Sequence, residues 1–161
     1  MTPTLLPAMI HRECIELDRL VETCLSRYAR RKEFARTGSE DILADSLAAC
    51  LHSFYGGVER LFEAVVRQID GASSRSPEWH RELLQAVSVE RPGVRPPVIS
   101  EDSYRELELH RSFRHLFRHL YTHHIDPARI FEIMDGLEAV WKRVRSDLMQ
   151  FADFLERTDE S

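Results

Sequence analysis

The sequence predicts an all-α fold, a bundle of four long helices with one short extra helix. Three observations carry that prediction. Apolar residues recur at spacings of three and four through four long stretches, the mark of one buried helix face. Glycine, proline, serine and aspartate stand at the ends of those stretches, where helices start and stop. The composition, 43% hydrophobic and 30% charged with 6 Gly and 7 Pro, is that of a chain that buries a core, with no low-complexity segment.

Taken in order, the first helix is expected over about residues 8–36, with Ile10, Cys14, Leu17, Leu20, Val21, Cys24, Leu25 and Tyr28 on one face. Arg27, Arg30, Arg31, Lys32 and Arg36 crowd its last turns, favourable near the negative end of the helix dipole. Gly38 can cap it, and Ser39 can open a second helix with Glu40 and Asp41 in the first turn. The second helix runs to about residue 70 and stops at Gly71. Its apolar arc, from Leu43 through Phe54 and Val58 to Ile69, is too wide for one face, so it is the central helix. Gly56 and Gly57 each cost such a helix about 1 kcal/mol against alanine. Close approach of another backbone would explain their presence. Ser76-Pro77-Glu78 starts a short helix through Trp79, Leu83, Leu84 and Val87. Residues 91–97, Arg-Pro-Gly-Val-Arg-Pro-Pro, cannot be helical and read as an ordered extended loop. Ser100 caps the third long helix, about 101–123, and Asp126-Pro127 opens the fourth, to about 157.

At 161 residues the chain reads as one domain, 1–161, with a core of about 41–157 and residues 1–38 as an N-terminal helix packed on it. No apolar run approaches the ~20 residues of a membrane span. Residues 1–10 lack the basic start of a signal peptide. Cys14, Cys24 and Cys50 fit no metal or redox spacing and read as core residues of a reduced, cytoplasmic protein. The net charge of −5 opposes nucleic-acid binding only on average. A local basic patch decides phosphate contact, and residues 105–124 hold four arginines and five of the eight histidines.

At 100° per residue the third helix carries three stripes. Phe113, Leu116, Phe117 and Leu120 face the core. Arg111, Arg114 and Arg118 form a second stripe with Tyr121 at its edge, and His115, His119 and His123 a third. No acid lies between Glu108 and Asp126, so like charges crowd one surface unless an anion arrives. His115 and His119, at i and i+4, have the spacing of two metal ligands. No acid or cysteine completes that set, and the arginines repel a cation. Phosphodiester chemistry uses the same residues without a metal: histidine moves a proton near neutrality while arginine holds phosphate oxygens. A solvated basic face, or a dimer surface, is the third reading.

The run Arg114-His-Leu-Phe-Arg-His119-Leu-Tyr121 reads Arg, four residues, His, one residue, Tyr. It resembles the signature of the HEPN ribonucleases, specifically the HepT-like toxins of MNT–HEPN toxin–antitoxin systems. Residues 51–62, 79–84 and 93–100 resemble further parts of that family, so the likeness covers about 45–157. The resemblance implies a HEPN-like bundle that forms a homodimer, with two motifs meeting in one RNA-cleaving cleft and no cofactor. It implies His119 as general base or acid and Arg114 as phosphate-orienting group. Arg111, Arg118 and His115 would contact RNA phosphates, and Tyr121 would be the tyrosine that a cognate nucleotidyltransferase antitoxin modifies with AMP. The chain departs from the usual pattern at His115, where a small polar residue is common, and at Arg118, where an apolar one is. An alternative frame, Arg118 to His123, puts Ile125 where the tyrosine belongs.

The expected activity is therefore metal-independent endoribonuclease. The alternative is a degenerate HEPN module that binds a nucleotidyltransferase or RNA without cutting, and a helical metal-binding bundle is a third possibility. Glu59 and Arg60 have two readings, a place near the cleft or membership of a buried or bridging ion pair, and the second is preferred. Trp79 and Trp141 read as packing anchors, and His80 has no partner visible in sequence.

Overall fold

The structure, a computed structural model, describes residues 5–73, 76–119 and 126–159, with 115–119 described by backbone alone. Six α-helices follow one another: α1 (Leu5–Tyr28), α2 (Arg31–Arg36), α3 (Glu40–Val65), α4 (Trp79–Val87), α5 (Glu101–His119) and α6 (Pro127–Asp159). A π-helical turn, Val66–Asp70, prolongs α3. Among the described residues there is no strand, only an isolated bridge between Arg91 and Arg95. The fold is all-α, as the sequence predicts.

Helix α3 is the centre. Its buried residues include Leu43, Leu47, Leu51, Phe54, Tyr55, Val58, Leu61, Phe62 and Val65, which lie around most of its circumference. It packs against α1, α4, α5 and α6, while α6, ~50 Å long at 1.5 Å per residue, also spans α1 and α5. Phe54 shows how the layers meet. It is fully buried, with His110 of α5 edge-on at 5.3 Å and Trp141 of α6 at 5.9 Å. Trp141 in turn donates its indole N–H to Asp18 of α1 at 2.7 Å, and Arg145 shares the same carboxylate. Both tryptophans serve as anchors: Trp79, partly buried, donates to Glu63 at 3.3 Å.

The first expected helix is two. Tyr28 is the last buried residue of α1, and its hydroxyl reaches Asp135 and the Phe131 carbonyl of α6. Past that anchor the chain tightens: the Arg30 amide bonds Arg27, three residues back, and Arg30 leaves helical geometry at φ −91°, ψ 10°. No residue of α2 is fully buried, and Phe34 packs against the core only in part, so little holds it in line with α1. Ser39 occupies the cap position of α3, but its hydroxyl interacts with Thr37 and not with the first-turn amides. No second backbone approaches the glycine pair. The Leu17 side chain of α1 lies where a Cβ on Gly57 would stand, 2.7 Å from it, whereas Gly56 has only Arg60 at 3.7 Å.

The stretch between α3 and α5 is held by one buried ion pair. Gly71, at φ +68°, ends the π-helical turn and leaves Asp70 facing inward. Arg95 donates from Nε and Nη2 to the two oxygens of Asp70 at 2.8 and 2.9 Å, with both side chains almost wholly buried. Its remaining N–H groups donate to the carbonyls of Ala86, Val89 and Pro96. Residues 91–95 are a tight reversal through Gly93, at φ +77°, rather than extended chain. Val98 and Ile99 then enter the core, and both amides bond the Val87 carbonyl. The three cysteines are buried and free. No helix among the described residues is long and apolar enough to cross a membrane.

Replacing Arg95 by methionine leaves the buried Asp70 carboxylate with only the half-exposed Arg91, 3.6 Å away, and is expected to cost up to about 3–5 kcal/mol in denaturant unfolding. Making both positions apolar should recover most of that loss. Gly56→Ala is expected to stabilise the protein by up to about 1 kcal/mol through helix propensity. Gly57→Ala should lower the thermal midpoint, because overpacking against Leu17 costs about 1–3 kcal/mol and outweighs the same gain.

Candidate functional site

Helix α5 is set in place at its first turn. The Ser103 amide bonds the Ser100 hydroxyl, giving the cap expected from sequence. Asp147 of α6 accepts from the Ser100 amide at 2.9 Å and from both serine hydroxyls, so a carboxylate sits at the positive end of the helix. Leu107, His110 and Phe113 then turn into the core. Phe113 lies where its stripe predicts. His110 was expected on no particular face, and it is 3% exposed. Desolvation lowers its pKa to about 4, so it is a neutral core residue.

The polar side of α5 faces α3 and α4. Arg111 is half-buried and pairs with Glu108, one turn earlier, at 2.8 Å. Arg114, one turn further, points its Nη1 at Nε2 of His80 on α4, 3.3 Å away. The other ring nitrogen of His80, Nδ1, lies 2.8 Å from Oε2 of Glu59 on α3. Guanidinium N–H groups only donate and a carboxylate only accepts. The pattern therefore assigns His80 the neutral tautomer with the proton on Nδ1, donating to Glu59 and accepting from Arg114. The Nε of Arg114 is buried and has no hydrogen-bond partner among the described residues. Tyr55, one turn before Glu59, completes the cluster. Burial first, and then the Glu59 carboxylate, push its hydroxyl pKa far up, against the pull of Arg111 and Arg114.

Glu59 is thus a buried partner of His80, while Arg60 is exposed and takes no part. The sequence offered each of these residues singly. Nothing in a separation of 21 positions between Glu59 and His80, or 34 between His80 and Arg114, announces that they touch. Of the motif residues, Arg111 and Arg114 are described in full. His115, Arg118 and His119 lie on the backbone of α5, their side chains outside the described residues along with those of Leu116 and Phe117. Leu120, Tyr121 and His123 lie outside the described residues, as does the expected end of the helix at 123. Among the described residues no group of three or more His, Cys, Asp or Glu is placed to hold a metal ion. A groove of about 560 Å³ between residues 96–100 and α6 contains none of the cluster.

A family model described as HepT-like protein matches residues 46–155. The chain belongs to the HepT-like family. No curated protein and no solved structure matches it. The HepT-like region starts within α3 and ends within α6, so it takes in Tyr55, Glu59, all of α4 and Arg114 and leaves out α1 and α2.

The buried His110 gives the HepT-like chain a defined acid weakness. Its pKa falls from 6.5 unfolded to about 4 folded, so between those values the unfolded state binds more protons and stability rises with pH. The stabilisation is complete above pH 6.5 and is lost as pH drops toward 4, by at most about 3 kcal/mol. Unfolding of His110→Leu measured across that range should show a shallower loss than the parent chain.

Proposed function

We propose that this HepT-like chain is an endoribonuclease that works without a metal ion, the toxin member of a toxin–antitoxin pair. One observation carries the reading: a family member presents Arg114 on α5 with one guanidinium nitrogen committed to His80 and its buried Nε unclaimed among the described residues. A guanidinium anchored in this way suits charge-assisted contact with a phosphate oxygen. His119, five residues on, supplies the proton transfer.

In this reading His119 takes the proton from a ribose 2′-hydroxyl, whose oxygen attacks the adjacent phosphorus. The bond from phosphorus to the 5′-oxygen breaks, and that oxygen leaves with a proton from a second imidazole. The products carry a 2′,3′-cyclic phosphate and a 5′-hydroxyl. Arg114 balances the charge that builds on the non-bridging oxygens. On an ideal helix, positions five apart lie about 140° around the axis, so Arg114 and His119 of one copy do not converge on one phosphate. A homodimer that brings two motifs together resolves this and provides the second imidazole. Arg118 and His115 would track neighbouring phosphates. Arg111 would contribute less, since Glu108 shares its charge. AMP added to Tyr121 by a nucleotidyltransferase antitoxin would bring bulk and negative charge into the cleft and exclude RNA.

Cleavage of single-stranded RNA in excess EDTA tests this. The protein, freed of any antitoxin, should yield cyclic-phosphate ends. Arg114→Ala and His119→Ala should each lower the rate about 10²- to 10³-fold. A folded parent chain that binds RNA or a nucleotidyltransferase yet leaves RNA intact would establish the non-cutting module instead.

A further inference from the structure

The Glu59–His80 pair is a poor choice for holding α4 in place. Leu83, Leu84 and Val87 already bury the helix, and Trp79 already bonds Glu63 across the same contact. A carboxylate 7% exposed loses its water, and an apolar residue at that position would dock α4 at least as well. What the pair does achieve is directional. A carboxylate on the central helix fixes the tautomer of an imidazole on a second helix, and that imidazole offers a lone pair to a guanidinium on a third.

We propose that Glu59 and His80 are positioning residues that set the orientation of Arg114 for phosphate. The proposal rests on the reading of Arg114 as a phosphate-holding group. An arginine side chain is long, with many rotamers of similar energy, and it presents a useful fork only when its plane is fixed. His80 fixes that plane at Nη1 while Nε is buried, so the guanidinium is held at two of its three nitrogens and its orientation is set. With the other tautomer, His80 would turn an N–H toward the Arg114 N–H, donor against donor, and the guanidinium would swing away. Glu59 decides between the two states. Tyr55 on α3 feels Glu59, Arg111, Glu108 and Arg114, and of the two arginines Arg111 is already matched by Glu108 while Arg114 alone is bonded to His80 among the described residues. Arg114 is thus the cation to which the relay is addressed.

The test uses the full chain and a labelled single-stranded RNA oligonucleotide. His80→Ala and Glu59→Leu are each expected to lower kcat about 10- to 100-fold with little change in KM, and the double variant should be no worse than either alone. His80→Gln places an amide N–H toward Glu59 and an amide oxygen toward Arg114, and should recover most of the rate. Glu63→Ala removes the acceptor of the Trp79 bond and leaves Glu59 and His80 untouched, and should cut RNA like the parent chain. In ¹⁵N spectra the parent His80 should carry its proton on Nδ1, and Glu59→Leu should shift the population toward Nε2–H. The proposal is overturned if His80→Ala cleaves within about twofold of the parent, where a positioning loss would be far larger. It is equally overturned if Glu63→Ala falls as far, or if the parent His80 is protonated on Nε2. A parent chain that does not cleave sinks the ribonuclease reading instead. The ¹⁵N spectra, with Arg114→Ala as comparison, then decide the relay's geometry alone.

Discussion

The buried pair between Asp70 and Arg95 is the constraint on which the site depends. It joins the end of α3 to the loop after α4, and its cation caps carbonyls from the last turn of α4 onward. A two-charge cluster in the interior is tolerable only when each donor is matched, and every nitrogen of the Arg95 guanidinium is matched here. The consequence reaches about two turns along α4, from Val87 back to His80. With its far end clamped by Arg95 and Val87, the short helix lies against α3 with its first turn beside Glu59, which places His80 there. A nine-residue helix would be marginal alone. Tertiary contacts at both ends give it a fixed position.

Helix α5 has the complementary constraint. Asp147 of α6 holds its first turn, and the core residues Leu107, His110 and Phe113 set its rotation. Once that rotation is fixed, Arg111 and Arg114 turn toward α3 and α4, with no freedom to choose solvent. The presence of His110 among the core residues shows that histidines on this helix are not equivalent. One is dehydrated and kept neutral by burial, which removes it from any proton transfer near neutral pH.

Much of this was legible in the sequence because the signals are local. Helix periodicity, the Ser100 and Asp126 caps, the stop at Gly71 and the breadth of the α3 apolar arc each depend on residues within a few turns of one another. What escaped was non-local. The break after Tyr28 depends on an anchor in α6, 103 residues on, and the tolerance for Gly57 depends on Leu17 of another helix. Glu59 and Arg60 read alike, as parts of an ion pair or of the cleft, with no partner named for either. Adjacent residues point about 100° apart, however, and α3 sends one inward and the other to solvent.

The charge distribution closes the argument. Read along the chain, α5 looks like a basic patch in an acidic protein. In space its described part is balanced: Glu108 matches Arg111, and Glu59 matches Arg114 through a neutral ring. A balanced cluster produces little long-range field, so it gains little from counterion release or electrostatic steering. Its described contacts act at short range, through the hydrogen bonds that join Arg114, His80 and Glu59. That division suits a chain of net charge −5, which would hold polyanions weakly on average and discriminate by geometry at one point. It also explains why the buried carboxylate belongs to the site. Glu59 keeps Arg114 in place without quenching it, because the imidazole between them passes on orientation while keeping the two charges from direct contact.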